Sequence, residues 1–245
     1  MKDENNLKHI QDAINKLPED FNILEEQIDI ELQMAYFDMA RKQRNEKPDE
    51  SLLPQASKDL YDPAISLEDK KKLLVQLAGL DNVEAFRTIE AFQKQASDEI
   101  KSWSVLALQE SRMVIQSSLL GEQQVFISTG LGGKGQNIRY FAALLHETPV
   151  AAFNETQQKL VESEFQFFLK ESEGELEEIN FQGPIATAIF LFPLKQNLHT
   201  TFKSFIDECN QYGNFLSENV IITNVKKLSI EEIQEFINKN NNDRE

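Results

Sequence analysis

The stretch Ile185-Ala-Thr-Ala-Ile-Phe-Leu-Phe192 carries no charged residue, and Ile138-Arg-Tyr-Phe-Ala-Ala-Leu-Leu145 closes on an unbroken apolar run. A strand with one solvated face alternates apolar and polar residues, whereas one buried on both faces reads as a continuous apolar run. These two segments are therefore expected to be the central strands of a sheet. Between them, Asn154 caps a helix whose buried face includes Val161, Phe165 and Phe168, and a strand around Glu178–Phe181 turns through Gly183-Pro184 into Ile185. Beyond them, Leu198, Phe202, Phe205, Ile206 and Cys209 form an i, i+4, i+7, i+8, i+11 helical stripe ended by Gly213. Val220–Val225 reads as a further strand, and Ser229-Ile-Glu-Glu232 as the cap of a last helix.

Residues 138–225 thus run strand–helix–strand–strand–helix–strand. That order resembles the ferredoxin-like split βαβ fold, whose first and third strands are central. The segment Val125-Phe-Ile-Ser-Thr129 would add an edge strand before it. The expected architecture is α+β, with a helical domain over residues 1–120 and an α+β domain over 121–245.

The N-terminal half reads as helix throughout. Leu7, Ile10, Ile14 and Leu17 make a stripe that Pro18 ends, and Phe21, Leu24, Ile28, Leu32, Ala35 and Met39 make a longer one. Residues 48–65 hold Pro48, Pro54 and Pro63 and read as an irregular connection. Helix starts follow at Ser66-Leu-Glu-Asp69, Asp81-Asn-Val-Glu84 and Ser97-Asp-Glu99, with stripes Leu73/Leu74/Leu77, Val83/Phe86/Ile89/Phe92 and Ile100/Trp103/Ala107/Val114. Over residues 66–120 this spacing resembles HEAT-like helical repeats, and it also suits a plain helical bundle.

A net charge of −16, spread evenly over both halves, opposes phosphate backbones and anionic membranes. The basic runs Arg41-Lys42-Gln43-Arg44 and Lys70-Lys71-Lys72 are short and flanked by acidic residues, as on a solvated helix face. Binding of free nucleic acid is not expected. An RNA-recognition surface on this strand order needs exposed aromatics beside Arg or Lys on the central strands, and Ile185–Phe192 has no basic residue. The first residues lack an apolar signal core and no window spans a membrane, so the expected location is cytoplasmic.

Chemistry-bearing residues are few. Thr129-Gly-Leu-Gly-Gly-Lys-Gly135 holds four of the nine glycines, yet Lys134 is followed by Gly135 and then by a strand, so it is not a Walker A loop. It reads as a mobile hairpin loop. Its contact version is a flexible tip in which Thr129, Gly130, Gly132, Gly133, Lys134 and Gly135, with Arg139 on the next strand, meet a partner or an anionic group. Trp103 and Arg112, with Glu110 and Ser111, are candidates to line a groove in the helical half. His9, His146 and His199 lack metal-ligand spacing, Cys209 lies on a buried stripe, and the acidic run Glu162–Glu178 has no calcium-loop pattern. No catalytic residue, cofactor or metal is expected.

The function expected from these residues is that of a non-catalytic protein-interaction or regulatory protein of the cytoplasm with a protein partner. The alternative is a small-molecule sensing or enzymatic domain using the glycine-rich loop on a phosphate-bearing ligand. A third is association with a ribonucleoprotein such as the ribosome through its proteins.

Overall fold

The computed structural model describes residues 21–44 and 50–242. The expected stripe Leu7–Leu17, with Pro18, and also His9 and Pro48 lie outside them. The chain forms two units, Ile28–Ile127 and a second made of Ser128–Glu245 with Met1–Gln27. It is mixed α+β, helical in its N-terminal half and strand-rich in its C-terminal half.

In the helical unit, α1 (Ile30–Gln43) starts where the Asp29 carboxylate accepts from the Glu31 and Leu32 amides. Residues 21–29 are therefore not helical, and the phase of the helix is reset. Its buried residues are Gln33, Tyr36 and Ala40, one face away from the expected Leu32, Ala35 and Met39. Residues 50–65 are more regular than expected: a turn of 3-10 helix (Glu50–Leu52) leads into α2 (Leu53–Asp59). Pro54 sits in the first turn of α2, where a missing N–H leaves no intrahelical bond unmade. Ser66 caps α3 (Leu67–Ala78), and Asn82 caps α4 (Val83–Gln95). The 23-residue α5 (Asp98–Leu120), about 34 Å long, ends on left-handed Gly121 at φ 67°. Helices α1, α3 and α4 all pack against it.

The second unit is a sheet covered on both faces. Its strands are β1 (Gly133–Lys134), β2 (Asn137–Leu145), β3 (Glu175–Gln182), β4 (Ile185–Pro193) and β5 (Ile221–Thr223). β2 and β4 pair antiparallel over nine positions, Asn137 opposite Pro193 through Leu145 opposite Ile185. β3 flanks β4, while β1 and β5 share the other side of β2. Leaving β1 aside, the order is fourth–first–third–second, that of a split βαβ sheet. The added edge strand is Gly133–Lys134. Of the expected Val125–Thr129, only Phe126–Ile127 is extended, and it lies outside this sheet.

Period-two alternation sorts β2 and β4 onto two cores. Ala142, Leu144, Ala186, Ala188, Phe190 and Phe192 face α6 (Glu155–Glu171) and α7 (Leu198–Asn210), meeting Val161, Phe165, Leu169, Phe202 and Phe205. Leu169 is buried on α6 where Phe168 had been expected, and Phe168 is half-buried. Phe141, Ala143, Ile185 and Ile189 face the other way and are covered by α8 (Ile230–Asn242) through Ile233. Ser229 and Glu232 form the reciprocal cap of α8, the Glu232 amide donating to Ser229 Oγ and the Ser229 amide to the Glu232 carboxylate.

Candidate functional site

The glycine-rich segment is packed rather than mobile over most of its length. Thr129 through Gly133 are buried, and only Lys134–Gln136 are exposed. Leu131 N–H donates to the Asn224 carbonyl at 3.0 Å, and Thr129 Oγ1 donates to the Gly132 carbonyl at 3.1 Å. The glycines answer to close approach. A Cβ at Gly130 would stand 1.7 Å from the Val225 oxygen, one at Gly132 2.3 Å from the Glu25 oxygen, and one at Gly133 2.3 Å from the Asn137 oxygen. Gly135, at φ +60° in open space, is needed for the turn alone. The expected flexible tip is reduced to a two-residue turn, Gly135-Gln136, between β1 and β2.

The cations of this segment have intramolecular partners. Arg139 grips Glu177 with two bonds, Nε at 2.5 Å and Nη2 at 2.9 Å, and a third nitrogen bond reaches the Leu131 carbonyl at 2.9 Å. Glu177 is the extra residue of a β-bulge in β3, which swings it toward Arg139. The Arg139 hydrogen bonds hold the Glu177 carboxyl below its usual range and raise the guanidinium above its own. Lys134 pairs with Glu175 at 3.4 Å and Lys227 with Glu178 at 3.1 Å. The run Glu162–Glu178 thus ends in three carboxylates already matched by Lys or Arg.

Trp103 and Arg112 belong to the helical unit and the glycine segment to the other. Trp103 is 3% exposed, donates its indole N–H to the Lys71 carbonyl at 3.1 Å and meets the Tyr36 ring edge-on at 5.1 Å. It is core. Arg112 is exposed and bonds Gln109 within its own helix. Glu110 is buried and doubly bonded, accepting from the Tyr36 hydroxyl at 2.6 Å and from Arg44 at 2.5 Å. Burial first, and Glu110 second, push the Tyr36 hydroxyl well above its ordinary range.

Cys209 is fully buried, and burial pushes its thiol up to about 12, away from nucleophilic use. Among the described residues no group of His, Cys, Asp or Glu is placed to hold a metal ion. None of their helices is long and apolar enough to cross a membrane.

A concavity lies elsewhere in this unit. A cleft of about 640 Å³ opens where β2 ends, walled by His146 and Glu147, by Pro184, by Ser217–Ile221 and by Ile237 of α8. It is separated from the glycine segment by the length of β2: from Ile138, the partner of Gly133, to Leu145 is roughly 23 Å. Backbone bonds brace its walls, from His146 N–H to the Pro184 carbonyl (2.8 Å), Glu147 N–H to Phe215 (2.7 Å) and Ser217 N–H to Leu145 (2.9 Å). The His146 ring is also held. Its Nδ1 accepts from the Thr148 amide at 3.0 Å, and its face meets Phe153 edge-on at 5.2 Å. The sequence does not show them as one site because they come from separate segments. A histidine placed directly after a buried strand was the one local signal.

Neither a protein-family model nor a curated protein matches the sequence. Among solved structures the chain is similar to a REP-associated tyrosine transposase bound to a REP hairpin, at 7% identity and a TM-score of 0.33, over 42% of this chain and 63% of that one.

Proposed function

We propose that the chain is a non-catalytic interaction or regulatory protein of the cytoplasm, working through a protein partner. The observation that supports this is where its reactive groups go. Lys134, Arg139 and Lys227 are matched by Glu175, Glu177 and Glu178, the Trp103 N–H is given to Lys71, and the Cys209 thiol is buried. Groups spent on internal bonds hold a shape instead of turning over a substrate. Gentle purification of a tagged chain from its native cells, followed by mass measurement of the intact particle, tests the reading. A defined stoichiometric complex with one protein is the expected result. A chain that elutes as a bare monomer, with and without prior crosslinking in the cell, sinks it.

A second reading, sensing of a small ligand, is favoured by the cleft at the end of β2, whose volume falls among those of ordinary ligand sites. It differs from the sequence expectation in its place, since the packed glycine segment is at the opposite end of the strand. Thermal shift against a panel of charged and neutral metabolites tests it, with a saturable rise in melting temperature expected for one chemical class.

A further inference from the structure

The cleft at the end of β2 differs from the opposite end of the sheet in one electrostatic respect. At the other end of the sheet, Glu175, Glu177 and Glu178 each have a Lys or Arg partner. Among the described residues, the charged ones that line the cleft are Glu147 and Glu218; neither has a Lys or Arg partner there, and no described Lys or Arg lines it. Ile185, Ile221 and Ile237 line it too, the first buried and the other two half-buried, while both carboxylates are exposed. Two unneutralised negative charges beside these apolar side chains repel a phosphate or a carboxylate. They attract a positive group that carries its own hydrophobic stem.

We propose that this cleft binds an organic cation, an ammonium or guanidinium on an apolar stem. The stem lies over Ile185, Ile221 and Ile237 and the charge sits between Glu147 and Glu218. Because the Thr148 amide already occupies His146 Nδ1, the neutral ring keeps its proton on Nε2, as a donor toward any hydroxyl or carbonyl of the ligand. The braced walls need little reordering on binding, which favours affinity for a small molecule. The same chemistry is presented by a free amine and by a Lys side chain on a partner's surface. The proposal rests on the second reading above, that the cleft is a ligand site.

The test is a charge series on one scaffold. The ¹⁵N-labelled full chain is titrated with phenethylamine, phenethyl alcohol and 3-phenylpropionate, with a capped Lys-centred pentapeptide as a further arm. Shifts are followed at the amides of Leu145–Glu147 and Ser217–Ile221. The amine is expected to bind about tenfold more tightly than the alcohol, and the carboxylate more weakly than either. A Glu147→Gln, Glu218→Gln double variant should bring amine down to alcohol and leave the remaining spectrum unchanged, since both residues are exposed. A peptide tighter than the free amine assigns the cation to a partner's lysine, and the reverse order assigns it to a small molecule. Equal amine and alcohol, or preference for the carboxylate, overturns the cation assignment while leaving a ligand site. No shift at those amides with any probe overturns the ligand site as well.

Discussion

The two units of this chain build their interiors from different materials. The sheet's main core is interlocked phenylalanine: Phe165 lies 5.3 Å from Phe190, 5.3 Å from Phe202 and 4.9 Å from Phe205, with no polar side chain among them. The helical unit instead buries a carboxylate, Glu110, and surrounds it with donors from Tyr36 and Arg44. An apolar core loses stability in proportion to the atoms removed and the void left behind. A core with a buried charge loses it when one donor is withdrawn, even at almost constant volume. The sheet unit is sensitive to size, the helical unit to chemistry.

Phe165→Ala should be the most damaging change, lowering the stability of the sheet unit by about 3–5 kcal/mol. Hydrogen exchange at the Ile185–Phe192 amides measures it directly. A loss below about 1 kcal/mol would mean that the aromatic cluster is loosely packed and the contrast between the units is false. Next in size is Gly132→Ala, which meets both φ +68° and a carbonyl oxygen 2.3 Å away; about 3 kcal/mol is expected. Gly135→Ala, at φ +60° with open space around it, should cost only about 1 kcal/mol. Equal effects in urea titrations of the two variants would place the glycine requirement in the turn and not in the packing.

Tyr36→Phe removes one oxygen and almost no volume. It should still cost the helical unit about 1–3 kcal/mol, because Glu110 stays buried with a donor missing. The chain has one tryptophan, and its ring centroid is 5.1 Å from that of Tyr36, so Trp103 fluorescence in urea reports on this unit locally. A neutral outcome would show that Arg44 alone satisfies Glu110.

Much of the sheet was legible from sequence because its signals are local. The apolar runs Ile138–Leu145 and Ile185–Phe192, the stripe on α7 and the cap at Ser229 each lie within a few turns of chain. Features that failed to show were those whose partner is distant. The face of α1 turns on a Tyr36 hydroxyl bonded to a residue 74 positions away, and Gly132 is closed in by the Glu25 carbonyl. Four glycines in seven residues look the same whether they serve mobility or close packing. The cleft is assembled from the ends of β2, the β3–β4 turn, the loop before β5 and α8, so no contiguous motif encodes it.

The smallest expected effect tests whether ion pairs near the sheet's rim matter in the way that Glu110 does. Arg139 and Glu177 keep 15% and 28% of their side-chain surfaces in water, so solvent screens their attraction. Glu177→Gln should therefore cost about 1 kcal/mol or less at neutral pH. The sign of its pH dependence follows from the direction of the shift. The Arg139 hydrogen bonds lower the folded-state carboxyl, so the pair stabilises fully above the unfolded pKa, and the contribution falls away as pH drops through the folded one. Urea midpoints of native and Glu177→Gln chains should thus differ at pH 7 and converge in acid. A gap that persists unchanged below the carboxylate range would mean that Glu177 acts through shape at the bulge, making the rim of the sheet, like its core, a matter of packing.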